Sequence, residues 1–218
     1  MDQLPTELSD EVFQWLYVER DMVALRSCTL VCRNWLPCAR RYLFSQLIIP
    51  NWPPERNITN LIDLLRNAPT IAQAVAHFAL RGFGSFTQIL RIGDFFILLG
   101  MLKHLQHIFI GSRWAVDSHA PLEAFTYPQV TVQCLEFEQL REVTDTVPWL
   151  IRLVSCKELK IWPGIQPRDE AFVSQLVFAS PAPSSIDIQD AEPSLQHFIH
   201  HLPSDRLYDS LQEFRISF

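Results

Sequence analysis

The amino-acid sequence predicts an α/β protein in which a short helical N-terminal segment precedes a longer series of alternating strands and helices. Three observations indicate this class. Apolar residues recur at helical spacing through about the first 45 residues. An apolar triplet then returns along the rest of the chain at intervals of about 24 to 31 residues. Helix-like runs separate its copies, as in a solenoid whose strands form a parallel sheet.

The composition is that of a folded intracellular protein. Of the 218 residues, 48% are hydrophobic and 19% are charged, which suits a chain with a real core. The net charge of −6 argues against nucleic acid as the main partner, because nucleic acid requires a concentrated basic face. The longest apolar run is far shorter than the roughly 20 residues that cross a bilayer, and no secretion signal is visible. We expect a cytoplasmic or nuclear protein that binds neither nucleic acid nor membrane.

Residues 1–46 are predicted to form three short helices. The first begins at Thr6, whose hydroxyl suits an N-cap, and its apolar residues recur at helical spacing as far as Leu16. A second helix follows and ends or bends at Pro37, and a third covers the stretch "CARRYLFSQL". A module of this size is marginal alone and needs a partner surface.

The stretch "SCTLVCRNW" in the second predicted helix raises the question of a metal or redox site. On a helix, Leu25, Cys28, Cys32 and Trp35 fall on one stripe, with Val31 beside it. Buried cysteine behaves as a small hydrophobe, and tryptophan brings the largest apolar area to an interface. We therefore interpret these cysteines as part of a packing face and not as metal ligands.

The repeated triplets predict the strands of the region 47–218. The last two residues of each triplet lie two apart, as successive residues on one face of a strand do. The helix-like runs between the triplets are "ITNLIDLLRNA", "DFFILLGMLKHL", "VPWLIRLV" and "PSLQHFIHHL". The triplets are Phe44, Leu47 and Ile49; Val75, Phe78 and Leu80; Leu105, Ile108 and Ile110; Val132, Leu135 and Phe137; Cys156, Leu159 and Ile161; Pro183, Ile186 and Ile188; and Leu211, Phe214 and Ile216.

These triplets indicate a degenerate leucine-rich-repeat-like solenoid. Their interval lies within or just above the range of such repeats, but the asparagine that usually follows the strand is missing. An ordinary α/β sheet with similar alternation is the alternative interpretation. The last copy ends at Phe218 without the polar cap that closes most solenoids, which favours a short or truncated form of a longer architecture.

The sequence contains no evident catalytic or metal-binding motif. The stretch "GFGSF" lacks the Lys-Ser/Thr pair of a phosphate loop, and there is no G-x-S-x-G elbow. His197 and His201 share a helical face, but no carboxylate or cysteine is placed to complete a metal site, and solvated histidines are the preferred interpretation. We expect no catalytic residue, no metal and no cofactor; a small enzyme is the alternative.

The helical segment resembles an F-box. The family pattern begins with Leu-Pro, a carboxylate, Leu, two apolar residues and Leu. It continues with Leu, a small residue, Val-Cys-Arg, a spacer and Trp, and this chain matches it in order and spacing. The region that follows is more loosely similar to the leucine-rich-repeat-like half of fungal F-box proteins. The matching residues are Leu4, Pro5, Glu7, Leu8, Val12, Phe13, Leu16, Leu25, Cys28, Val31, Cys32, Arg33 and Trp35.

The resemblance implies the substrate-recognition subunit of an SCF-type cullin–RING ubiquitin ligase. The F-box would dock on a Skp-family adaptor, which joins cullin and RING subunits, and the repeat region would present a protein for ubiquitin-dependent degradation. An F-box-like scaffold outside ubiquitination is one alternative, and packing of the helical face against the chain's own repeats is another. The residues that would form or support the adaptor-facing surface are Leu4, Pro5, Leu8, Val12, Leu16, Leu25, Cys28, Val31, Cys32 and Trp35.

In the solenoid prediction, the residues between the inward apolar positions face a concave groove. This set is mixed in charge and has aromatic anchors at Phe109 and Trp162, which suits a protein segment better than a small polar ligand. A solvated sheet face with two stray aromatic residues is the alternative. The predicted substrate-binding residues are His77, Arg81, His107, Phe109, Glu136, Lys160, Trp162 and Asp187.

Overall fold

The computed structural model confirms the predicted α/β class. It describes residues 5–50, 58–81, 88–111, 114–116, 130–138, 154–162, 183–188 and 212–216. The helices in these ranges are α1 (Thr6–Val18), α2 (Met22–Cys28), α3 (Trp35–Leu43), α4 (Ile58–Asn67), α5 (Pro69–Ala74) and α6 (Ile92–Met101). The strands are β1 (Gln46–Pro50), β2 (His77–Arg81), β3 (Gln88–Leu90), β4 (His107–Ile110), β5 (Trp114–Val116), β6 (Val130–Phe137), β7 (Val154–Ile161), β8 (Ser185–Ile188) and β9 (Glu213–Ile216).

The first three helices pack around a small core of their own. Phe13 of α1, Leu25 of α2 and Ala39 of α3 are each fully buried in it. Trp35 packs edge-on against Phe13, with the ring centroids 5.4 Å apart. At the edge of this core, the Arg41 guanidinium donates a hydrogen bond of 3.0 Å to the Asp10 carboxylate and joins α3 to α1. The helices therefore form one packed module with an interior separate from that of the sheet.

The second helix is shorter than the sequence predicted. It ends at Cys28, and Cys32 is exposed in the segment that precedes α3. The prediction of one helical stripe through Leu25, Cys28, Cys32 and Trp35 is therefore wrong. The Thr29 hydroxyl donates a hydrogen bond of 2.7 Å to a carbonyl of the last turn, and side-chain bonds of this kind compete with continued helix.

Pro37 lies at the start of a helix and does not end one. The third helix begins at Trp35, before the predicted start at Cys38, and Pro37 occupies its first turn. Proline is tolerated there because the N–H group it lacks would have no partner within the helix. The first helix differs in a similar way, since Pro5 is its N-cap residue and Thr6 is already helical.

The main sheet has seven parallel strands in the order β1-β2-β4-β6-β7-β8-β9, and β3 pairs with β5 in a separate two-stranded parallel sheet. Each strand of the main sheet pairs with the next of its strands along the chain. The second residues of the predicted triplets are aligned in register: Leu47, Phe78, Ile108, Leu135, Leu159, Ile186 and Phe214. The third residues are aligned in the same way: Ile49, Leu80, Ile110, Phe137, Ile161, Ile188 and Ile216.

One backbone arrangement, which we name the shared-carbonyl bend, recurs at four places in the main sheet. A single carbonyl accepts hydrogen bonds from two successive N–H groups of the neighbouring chain segment, at the starts of β2, β4 and β9 and inside β6. Two successive N–H groups that point the same way interrupt the alternation of a strand and bend the chain. The acceptors and the donor residues are Ser45 with 76 and 77, Ala76 with 106 and 107, Gln106 with 133 and 134, and Ser184 with 212 and 213, all at 2.8 to 3.1 Å.

The shared-carbonyl bend explains the uneven spacing of the apolar triplets. The first residue of a triplet stands three positions before the second, which in a regular strand would place the two on opposite faces. Because the chain bends between them, Val75, Leu105 and Val132 are buried in the same core as the strand residues that follow. In these three copies the triplet therefore corresponds to a bend in the chain and the apolar strand residues that follow it.

Helices α4 and α6 pack against the apolar side of the main sheet. Ile62 and Leu65 of α4 and Phe95 and Leu98 of α6 lie in one buried cluster with the strand residues. These helices confirm the run "ITNLIDLLRNA" as helical apart from its last residue, and the run "DFFILLGMLKHL" as helical only as far as Met101. The run "PSLQHFIHHL", with its histidines, and all of "VPWLIRLV" except Val154 lie outside the described residues. Among the described helices, none combines the length and the apolar character needed to cross a membrane.

We expect Leu25→Ala to lower the free energy of unfolding by about 2–5 kcal/mol, because Leu25 is fully buried in the core of the helical module. Val23→Ala in the same helix should change it by less than about 0.5 kcal/mol, since Val23 is 74% exposed. Urea unfolding followed by tryptophan fluorescence measures both values. Equal losses in the two variants would contradict the three-helix core.

Candidate functional site

The helical module exposes several large apolar side chains. Leu8, Val12 and Trp15 of α1 are 47%, 44% and 62% exposed, and their spacing of four and three residues puts them on one face of the helix. We name these three residues the apolar stripe. Leu30 and Val31, in the segment between α2 and α3, are 86% and 63% exposed. Since the interior of the module is filled by other residues, these side chains are not needed for its own core.

The residues that were predicted to face an adaptor fall into three groups. Leu4 lies outside the described residues. Leu25 is fully buried in the core of the module, so it can support a binding surface from within but cannot contact a partner. The half-buried residues, which pack against that core, are Leu16, Cys28 and Trp35. The exposed residues are Pro5, Leu8, Val12, Val31 and Cys32.

Trp15 and Leu30 are exposed apolar residues that the sequence analysis did not select. Trp15 follows Val12 by three residues, so the same periodicity that selected Leu8 and Val12 predicts its position on the apolar stripe. Leu30 lies just beyond the end of α2, where no periodicity applies. Its exposure is visible only in the folded chain.

The predicted substrate-binding residues lie on the polar side of the main sheet, opposite the core. Strand register arranges this side in rows, and alternation along each strand places the rows two residues apart. Arg81 ends β2 and Trp162 follows β7, beyond both rows. The first row is His77, His107, Cys134, Glu158, Ser185 and Glu213. The second row is Ala79, Phe109, Glu136, Lys160, Asp187 and Arg215.

His107 and Glu136 form the best-shielded hydrogen-bonded pair of ionisable side chains in the described part of this polar side. The His107 Nε2 atom lies 2.9 Å from a Glu136 carboxylate oxygen, and the two side chains are 30% and 14% exposed. The hydrogen bond from His107 lowers the pKa of Glu136, against the opposing effect of burial. The His77 ring stands edge-on to His107 with centroids 5.7 Å apart, and burial, followed by the charge of His107, lowers the pKa of His77.

The two predicted aromatic anchors already contact neighbours on the polar side. The Arg81 guanidinium lies 5.5 Å from the centre of the Phe109 ring, within the range of a cation–π interaction. Trp162 is close enough to Glu136 to help lower the pKa of that carboxyl group. Its Nε1–H is buried and makes no hydrogen bond of good geometry within the described chain. The face is therefore a set of partly buried, mutually packed groups and not a layer of free side chains.

Three residues of this face can hold a metal ion. The ligand atoms of His107, Cys134 and Glu136 all lie within 4.8 Å of one another. Burial is the main cause that raises the pKa of the Cys134 thiol to about 12. The sequence analysis selected His107 and Glu136 but missed Cys134. The strand alternation already predicted the position of Cys134, because this residue precedes Glu136 by two and so shares its face of the strand.

A cavity of about 700 Å³ lies between α3, α5 and the entries of β2 and β4. Its lining is mixed: Arg40 and His104 are basic, whereas Leu36 and Ile71 are apolar. The lining also includes Ser45, the acceptor of the first shared-carbonyl bend. The cavity thus marks the place where the helical module meets the main sheet.

In comparisons by sequence and by structure, no family model, no curated protein and no solved structure matches the chain. Function is therefore inferred from the helical module with its exposed apolar residues and from the polar side of the sheet. The chain is defined at the level of class as an α/β protein with a helical N-terminal module and an in-register parallel sheet.

We expect a double-mutant cycle of His107→Gln and Glu136→Gln to give a coupling energy of about 1–3 kcal/mol, because the pair is shielded from water. The matched control is the pair Lys160 and Glu158, which are 3.3 Å apart and 32% and 41% exposed. Its coupling should be only about 0.2–1 kcal/mol. Urea unfolding at neutral pH gives both values, and equal couplings would refute the shielding of His107 and Glu136.

Proposed function

We propose that the chain is the substrate-recognition subunit of an SCF-type cullin–RING ubiquitin ligase. Residues 1–46 act as an F-box that docks on a Skp-family adaptor. The observation that carries this proposal is a helical module whose core is complete while large apolar side chains remain outside it. Leu8 and Val12 are about half exposed, whereas Phe13, next to Val12, is fully buried. An apolar surface of this kind is typical of a docking site.

The distribution of the F-box-like residues supports docking on another protein. If the helical face packed against the chain's own repeats, its outward residues would be covered. Leu8, Val12 and Val31 instead remain exposed in the described chain. Leu25 and Phe13, which also match the F-box pattern, supply the interior that holds these residues in place. Some residues of the F-box pattern therefore form the core of the module, and others form an exposed surface on which an adaptor can dock.

The strand order supports a leucine-rich-repeat-like solenoid for residues 47–218. In a doubly wound α/β sheet the strand order reverses at a switch point, and ligands bind in the crevice there. The main sheet has no such reversal among the described strands, because its order follows the chain throughout. The recurrence of the shared-carbonyl bend also favours repeats, since β2, β4, β6 and β9 then begin to pair with the preceding strand in the same way.

The polar side of the main sheet is the surface that receives the protein substrate in this proposal. Its half-buried aromatic rings, Phe109 and Trp162, have the character of interface anchors. The same side carries charges of both signs, with Lys160 beside Glu158 and Arg215 beside Glu213. Ubiquitin transfer takes place on other subunits of such a ligase, so this role requires no catalytic group of the chain itself.

We expect the wild-type chain to co-purify with a Skp-family adaptor and the Leu8→Asp, Val12→Asp double variant to lose at least about 100-fold in affinity, because charge would enter an apolar interface. The matched control is Leu64→Asp on α4, since Leu64 is 55% exposed on a helix outside the module. It should bind as the wild type does. Circular dichroism verifies that each variant is folded.

Two results would count against the F-box assignment. One is a folded wild-type chain that forms no adaptor complex. The other is an equal loss in the Leu64→Asp variant, which would locate the effect outside the helical module. Adding the cullin and RING subunits to the adaptor complex distinguishes a ligase subunit from a scaffold that acts outside ubiquitination. The scaffold would bind the adaptor without recruiting these two subunits.

A further inference from the structure

We propose that His107, Cys134 and Glu136 bind a single divalent transition-metal ion, for which zinc is the best chemical match. Their ligand atoms, an imidazole nitrogen, a sulfur and a carboxylate oxygen, all lie within 4.8 Å of one another. These are the three ligand types that zinc takes in proteins. The inference concerns the polar side of the main sheet and is independent of adaptor docking by the helical module.

The parallel sheet builds this site from residues that are distant in the sequence. His107 on β4 and Cys134 on β6 are register partners, and Glu136 follows Cys134 on the same face of β6. The shared-carbonyl bend at Gln106 adds a direct link, because the carbonyl next to His107 accepts the N–H of Cys134 at 3.0 Å. All three ligands stand on strands that are paired on both sides, which is the rigid support that a metal site requires.

The hydrogen bond between His107 and Glu136 joins two atoms that would both bind the ion. Their separation is 2.9 Å, and a tetrahedral zinc ion would place the same two atoms about 3.3 Å apart. A small outward movement therefore makes room for the ion, which takes the place of the proton between the two atoms; that proton passes to water, and a neutral imidazole takes up a proton from water at Nδ1 in exchange. In the bound state the imidazole coordinates through Nε2 and carries its proton on Nδ1, while Glu136 remains a carboxylate.

Binding also requires the thiolate form of Cys134. Because burial raises the pKa of this thiol to about 12, the protein itself holds the sulfur protonated at neutral pH. The ion displaces that proton, which passes to water, and a zinc–sulfur bond forms in place of the sulfur–hydrogen bond. The charges adjacent to Cys134 are Glu136, Glu158 and Lys160, and the ammonium of Lys160 is paired with Glu158 at 3.3 Å.

Three protein ligands leave one tetrahedral position open. Zinc sites of this kind accept water or another ligand at the fourth position. His77 supplies a further imidazole close by, edge-on to His107 on the adjacent strand β2. The open position would therefore face the same polar side that carries the proposed substrate surface.

The test uses the full-length chain, loaded with Co²⁺ as a spectroscopic probe and titrated with Zn²⁺ against a chromophoric chelator. We expect the Co²⁺ form to show a thiolate-to-metal charge-transfer band that Cys134→Ser abolishes. His107→Gln and Glu136→Gln should each weaken Zn²⁺ binding at least about 10-fold. The matched control is Cys156→Ser, because Cys156 is also buried, on the neighbouring strand β7, but is not among the three ligands.

A second control removes the other histidines that resemble a metal site in the sequence. A His197→Gln, His201→Gln variant should keep the charge-transfer band. Three outcomes overturn the proposal: a folded wild type that binds no Zn²⁺, a Co²⁺ spectrum without a thiolate band, and a Cys156→Ser variant that loses the band as Cys134→Ser does. Circular dichroism of the metal-free variants separates loss of a ligand from loss of the fold.

Discussion

Parallel pairing in strict register is the constraint on which the rest of the sheet depends. Side chains alternate along a strand, so a slip of one residue would turn Ile108 toward the polar side and His107 into the core. The shared-carbonyl bend opposes such a slip, because the two N–H groups that meet one carbonyl fix where pairing with the preceding strand begins. The buried rows and the polar rows are thus two consequences of the same hydrogen bonds.

The seven strands of the main sheet were predictable from sequence because burial on one side imposes apolar residues at every second position, whereas no triplet predicted β3 or β5. The helical module was less predictable in its details. The helical spacing of apolar residues continues past Cys28 to Val31 and Cys32, but α2 ends at Cys28. The Thr29 hydroxyl donates a hydrogen bond to a backbone carbonyl there, and such bonds compete with continued helix. Apolar periodicity alone does not predict this competition. The prediction that a helix ends or bends at Pro37 was wrong for a related reason. Proline breaks a helix in its interior but is tolerated in the first turn, and the sequence alone does not reveal where the helix begins.

The polar side shows a second limit of sequence reasoning. Metal sites are usually recognised in a sequence by ligands a few residues apart, and His197 and His201 are the histidines that have this spacing on one predicted helical face. The group of His107, Cys134 and Glu136 is scattered along the chain and assembled by strand register, which turns a long interval in sequence into adjacency in space. On the helical module the limit was different, because periodicity identified apolar residues without distinguishing an inward Leu25 from an outward Val31.

In the described chain, the helical module passes into the main sheet through a short connection at Ser45. The cores of the helical module and of the main sheet are separate clusters. Between them, the Ser45 hydroxyl donates to the Tyr42 carbonyl at the end of α3, and the Ser45 carbonyl accepts the two N–H groups that open β2. The same residue therefore ends the module and begins the sheet, with no flexible linker between. In the proposed ligase role, such a connection would fix the distance between the adaptor and a bound protein, on which ubiquitin transfer to that protein depends.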